Sequence, residues 1–133
     1  MELTVRFSGA KTLECSFGEH VVRTDQPANE GGAGNMPSPS EYFLASLATC
    51  GAYYVQGFCE KRDIPLDGVE FRFEGIFDQE KKLYGRMEYR ISLPASFPSK
   101  YKKALALSVD QCFVKKHFAN PPEFEVLVEQ RDE

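Results

Sequence analysis

Ser38-Pro39-Ser40-Glu41-Tyr42-Phe43-Leu44-Ala45-Ser46-Leu47-Ala48-Thr49-Cys50 is the stretch on which the reading of this chain turns. Ser38 has the side chain of a helix N-cap. Pro39 fits the first helical position, where a missing N–H costs no hydrogen bond, and Glu41 completes an S-x-x-E capping box. Apolar residues then recur at Phe43, Leu47, Cys50, Tyr54 and Phe58, the spacing of one helical face. The Cys50 thiol therefore points into the protein or toward a partner. The helix is expected to run from Pro39 to about Arg62, with Pro65 and Gly68 beyond its end. Tyr42, Tyr53 and Val55 lie off that face, so the helix is apolar nearly all round and calls for cover on every side. A small domain supplies such cover poorly and a second copy supplies it well, so a homodimer is expected.

Upstream, Leu3, Val5 and Phe7 alternate with polar residues, as do Leu13, Cys15 and Phe17, and His20 to Thr24 reads as a third short strand. With turns at Gly9-Ala10 and Gly18-Glu19, this is an antiparallel meander. Asp25 to Pro37 is a Gly/Pro-rich loop without the spacing of a phosphate-binding motif. Downstream, Val69 to Phe77 and Leu83 to Leu93 alternate as two long strands of a hairpin. Ser99 to about Phe118 reads as helix with a break near Ser108–Asp110 and with Tyr101, Leu105, Val109 and Cys112 inward. Asn120-Pro121-Pro122 stops it, and Phe124, Val126 and Val128 suggest a last strand. The order β-β-β-α-β-β-α-β indicates an α+β fold, with antiparallel sheets around a long central helix. Nothing repeats, and 1–133 reads as a single domain.

A net charge of −4 argues against a nucleic-acid binder, because phosphate contacts need a basic surface. No apolar run approaches the roughly 20 residues that span a bilayer, so no membrane partner is expected. The opening residues alternate like a strand and lack a signal-peptide core, which makes a cytoplasmic location the expectation. Four cysteines in a reducing compartment are then not read as structural bridges, and none has metal-ligand spacing to a His or another Cys, so no metal is expected. Cys50 and Cys59 lie on opposite faces of one continuous helix, about 13 Å apart in rise, which rules out a bond between them.

These residues carry a resemblance. Pro39 to Cys50 resembles the P-x-E-L-L-L-A-A-L-A-x-C signature of OsmC-like proteins, and Gly31-Gly32 with Pro37-Ser38-Pro39 is similar to its lead-in. Asp110-Gln111-Cys112-Phe113-Val114-Lys115-Lys116 resembles the second cysteine segment of the same superfamily, which includes the organic hydroperoxide resistance proteins. The resemblance implies an intertwined homodimer with a redox site at the subunit interface. It also implies a thiol-dependent peroxidase in which Cys50 attacks an organic hydroperoxide and Cys112 closes the resulting sulfenic acid into a disulfide. An external thiol or dithiol would reset the pair, with no metal or organic cofactor. The chemistry is self-consistent, since only a thiolate attacks the O–O bond and a nearby second thiol prevents irreversible over-oxidation.

The chain departs from the peroxidase branches at the activating charges. Ser40 stands where they carry the first of two adjacent acids, and only Glu41 matches the second. Where they have an arginine before the second strand, this chain offers Lys11, a point charge rather than a bidentate fork. Arg23, at the end of the third strand, is the other candidate. The alternative reading is a non-catalytic module that holds a small apolar ligand in the same aromatic surroundings.

Overall fold

The computed structural model describes residues 1–132. Helix α1 spans Pro39–Glu60, 22 residues. It opens as its capping box requires: the Glu41 N–H donates to Ser38 Oγ at 3.3 Å, and Glu41 Oε1 accepts from the Ser38 N–H at 3.2 Å. The remaining elements are β1 (Thr4–Phe7), β2 (Leu13–Phe17), β3 (His20–Thr24), β4 (Glu70–Asp78), β5 (Leu83–Ser92), α2 (Lys102–Val109) and α3 (Phe113–Ala119). Short 3-10 turns lie at Ala28–Glu30 and Ser99–Tyr101. The strands form an antiparallel three-stranded sheet β1-β2-β3 and a two-stranded pair β4-β5. The fold is α+β, as the element order indicates.

The contacts gather into two units. One comprises Met1–Ala48 with Gly75–Arg86, the other Thr49–Glu74 with Met87 onward. In the first, Val5, Cys15 and Val22 stand opposite one another across the meander. Glu14 binds Arg6 and Arg23 on the flanking strands, each at 3.0 Å. The loop after β3 is organised by Asp25, which is 1% exposed. Its carboxylate accepts from the backbone N–H groups of Gln26 (2.8 Å), Ala33 (3.3 Å) and Asn35 (3.2 Å). The Asp25 N–H in turn donates to the Pro37 carbonyl at 3.2 Å and ties the loop's two ends together. These donors hold the Asp25 carboxyl below its ordinary value, the Gln26 N–H most of all.

The second unit holds the core of Val55, Phe58, Cys59, Phe97, Leu105 and Val109, with Phe71, Tyr89 and Ile91 packed against it. Leu47, Val55, Phe58 and Cys59 of α1 are buried, whereas Phe43 is 37% and Tyr53 65% exposed. One face of α1 is thus buried, while residues such as Phe43 and Tyr53 on other faces stay exposed. The helix expected over Ser99–Phe118 is divided. Gln111 and Cys112 donate back to Ser108 and Val109 in a 3-10 pattern, and Cys112 then leaves helical geometry at φ −49°, ψ 123° before α3 begins. No strand forms at Phe124–Val128. Phe124, Val126 and Val128 are about nine-tenths exposed, at 90%, 88% and 91%. Alternation there marks a stretch suited to a sheet, but neither sheet of the chain pairs with it. Among the described residues no helix is long and apolar enough to cross a membrane.

Candidate functional site

The second unit brings Cys50 and Cys112 together. Cys50 lies half-buried near the middle of α1, fixed by the helix register that Ser38 and Glu41 start. Cys112 is fully buried at the break between α2 and α3, as the N-cap residue of α3. The two side chains lie close enough to interact, and the backbone N–H groups of Lys115 and Val114 stand near the Cys112 sulfur. Burial raises the Cys112 thiol above its ordinary value, and the neighbouring Cys50 side chain adds to the rise. The two backbone donors oppose it, because they favour the thiolate. All four cysteines are free thiols.

Tyr89 of β5 completes the cluster. Its ring meets Phe73 at 5.0 Å and Phe71 at 5.9 Å between centroids, both edge-on. Lys115 Nζ stands 5.9 Å from the ring centroid and pairs with Asp110. Tyr89 packs against α1 at Gly51, where a Cβ would sit only 2.6 Å from Tyr89 Cε1 and 3.0 Å from Phe71 Cζ. Only a glycine admits the ring that close. The Tyr89 hydroxyl is pushed up to about 12, first by burial and then by the neighbouring Cys112, Cys50 and Asp110, whose ionised forms disfavour a phenolate. Sequence reading passed over both Gly51 and Tyr89. A glycine inside a helical pattern is a signal of close packing, but Gly57 carries the same signal and has open space beside it.

Of the other candidates, Arg23 donates Nε to Glu14, and its carbonyl accepts from the Tyr42 hydroxyl at 2.9 Å. Lys11 is exposed, its side chain lying beside Gly31. Glu41 is engaged at the Ser38 cap. All three belong to the first unit. Cys59 is fully buried in the core, which raises its thiol, and the nearby Arg62 partly offsets the rise. Arg62 itself lies over the Phe58 ring at 3.6 Å. On the same unit a cleft of about 900 Å³ is lined by residues including Tyr53, Tyr54, Phe58, Arg62 and Leu107. Among the described residues no group of three or more His, Cys, Asp or Glu side chains could hold a metal ion.

Two thiols that lie close enough to interact can pass between dithiol and disulfide. Comparison with known proteins bears on where such a pair occurs. No curated protein sequence matches the chain. Among solved structures, one from Psychrobacter arcticus, described as an osmotic stress induced and detoxification response protein, superposes with a TM-score of 0.72 at 18% identity. The match covers 86% of this chain and 85% of that one. An OsmC-like protein from Mycoplasma pneumoniae gives 0.65 at 12%, over 90% and 87% of the two chains. The organic hydroperoxide resistance protein OhrB of Bacillus subtilis gives 0.52 at 16%, over 90% of each. At these identities the likeness carries the fold. The family model described as OsmC-like protein matches residues 32–127, a span that includes both cysteine segments, and on that match this chain belongs to the OsmC-like family.

Proposed function

We infer that the protein is a thiol-dependent peroxidase that reduces organic hydroperoxides, working as a homodimer through Cys50 and Cys112. The observation that carries this reading is the meeting of the two thiols, one from the middle of α1 and the other from the α2–α3 break, close enough to act on one another. Membership of a family that includes organic hydroperoxide resistance proteins supports it. The Cys50 thiolate attacks the terminal peroxide oxygen. An S–O bond forms, the O–O bond breaks, and the alcohol leaves after taking a proton. The Cys112 sulfur then displaces hydroxide from the sulfenic acid, which departs as water, and the disulfide results. An external dithiol supplies two electrons and two protons to restore both thiols. The rings of Tyr89 and Phe71, packed against α1 at the residue after Cys50, favour apolar hydroperoxides.

The homodimer reading is supported by apolar surface that one chain leaves open. Tyr53 on α1, Leu3, Val5 and Phe7 around β1, and Phe124, Val126 and Val128 are all at least half exposed. Light scattering at micromolar concentration should return twice the 15.0 kDa of one chain.

Turnover of cumene hydroperoxide with dithiothreitol tests the activity. Cys50→Ser should abolish it. Cys112→Ser should permit one oxidation and then accumulate sulfenic or sulfinic acid on Cys50. Equal consumption of peroxide by wild type and Cys50→Ser would end the enzyme reading. The cleft near Tyr53 and Leu107 favours the second reading, a binding module for a small apolar ligand. A ligand that survives purification and appears in native mass spectrometry would support it.

A further inference from the structure

We propose that the cleft between α1 and α2 binds an amphipathic monocarboxylate, with the carboxylate on Arg62 and the apolar body running along α1 toward Tyr53. This rests on the second of the two readings above, the binding module, and names the chemical class of its ligand. It does not depend on the thiols.

The cleft is complete within one chain, since every residue that lines it comes from α1, the turn after it, or α2. Its volume of about 900 Å³ is that of a small-molecule site. The lining is mainly apolar. Tyr53 of α1 and Leu107 of α2, both in that lining, are 65% and 57% exposed. Gly57, one turn after Tyr53, lines the same cleft. A glycine inside a helix is unfavourable relative to alanine and calls for a reason. Gly51 has its reason in the Tyr89 ring, whereas Gly57 meets nothing within 4 Å of its Cβ direction. What the missing side chain of Gly57 provides is room in the cleft.

Arg62 gives the cleft its polarity. Its Nη1 donates to the Phe58 carbonyl at 3.2 Å. Its guanidinium carbon stands 3.6 Å from the centroid of the Phe58 ring and 5.4 Å from that of Tyr101. The group is thus held in place although Arg62 is exposed, and the hydrogen bond uses only one of its N–H donors. Glu60 and Asp63 are near it in sequence, yet among the described residues Arg62 forms an ion pair with no carboxylate. A guanidinium fork matches a carboxylate through two parallel hydrogen bonds. Lys61 and Glu60 also line the cleft and offset one another, so the net positive charge of the lining is that of Arg62 alone. That balance suits a single negative charge better than a dianion. Tyr53 and Arg62 are nine residues apart, about 13 Å along a helix, which sets the reach of the apolar body.

The test is isothermal titration calorimetry of the full chain with decanoate, a carboxylate of comparable length, and with 1-decanol, which has the same body and no charge. Decanoate should bind at least about tenfold more tightly, the worth of a hydrogen bond to a charged group. Arg62→Gln should lose that advantage and still bind decanol as wild type does, which also shows that the fold survives. Gly57→Leu puts a side chain into the cleft and should abolish binding of both without lowering the melting temperature. Cys50→Ser should bind both as wild type does, because neither thiol lines the cleft. Equal affinity for decanoate and decanol would overturn the proposal and leave the binding-module reading standing. Binding of neither would overturn both. Binding that survives Gly57→Leu, or that is lost with Cys50→Ser, would put the ligand elsewhere and overturn the assignment of the cleft.

Discussion

Gly51→Ala should destabilise the protein although it adds a good helix former to the middle of α1. The added methyl would lie 2.6 Å from Tyr89 Cε1 and 3.0 Å from Tyr89 Cδ1 and Phe71 Cζ. Ordinary contact begins near 3.4 Å, so the closest pair is about 0.8 Å too close. The obstacles are ring atoms of two side chains that also pack on each other, so neither can turn aside cheaply. Overpacking of this degree costs about 1–3 kcal/mol. Replacing glycine by alanine in a helix returns about 0.8–1 kcal/mol. The net loss is then about 1 kcal/mol, a fall in melting temperature of roughly 4 °C for a chain of this length. Gly57, six positions along the same helix, has nothing within 4 Å of its Cβ direction. Gly57→Ala should show the propensity gain alone, so the two variants should differ by about 2 kcal/mol. Urea unfolding followed by circular dichroism measures both. A Gly51→Ala protein as stable as wild type or more stable would refute the close approach of Tyr89 to α1.

Other outcomes follow from the charges and surfaces described. The Asp25 carboxyl is held below its unfolded value of about 3.9, so its contribution is present above that pH and is lost as pH falls through the folded value. Asp25→Asn should therefore destabilise at neutral pH, with the gap to wild type closing below about pH 4 in thermal unfolding. The Cys112 thiol is raised in the folded state, so its contribution is intact below the unfolded value of about 8.5 and declines as pH climbs above it. Cys112→Ser should flatten that alkaline decline in part, since Cys59 and Tyr89 titrate upward too. The double variant Val126→Glu, Val128→Glu should leave the unfolding of a single chain unchanged, because both residues are exposed there. If the segment is covered by a second copy, dimer dissociation by sedimentation should strengthen at least about tenfold, or 1.4 kcal/mol.

The parts of the fold that sequence patterns revealed are those whose cause is local. The capping box at Ser38 and Glu41 requires only neighbours three residues apart, and the meander alternates over short spans. The division between α2 and α3 was also visible near Ser108–Asp110, because β-branched and short polar residues there weaken the helix. The strand expected at Phe124–Val128 did not form, because alternation specifies a face and not a partner, and the chain's own sheets end elsewhere. At the site, the two cysteines stood out through their motifs. Tyr89 did not, since its importance comes from a contact with a helix some 38 positions earlier, at Gly51. In the sequence Asp25 looks like one more residue of a Gly/Pro-rich loop. Its partners are backbone N–H groups, which every residue type offers alike, so no side-chain pattern announces them.

The Asp25 nest has a consequence for how the chain meets proteases. By composition, Asp25 to Pro37 is the softest stretch of the molecule, rich in the glycine and asparagine that digestion favours. A protease must draw a cleaved segment out into an extended form, and here that means stripping several amides from one buried carboxylate and parting the two ends of the loop. Cleavage at Gly31–Asn35 should thus track acidity rather than glycine content, with the loop resistant at neutral pH and open to an acid-active protease once Asp25 accepts a proton.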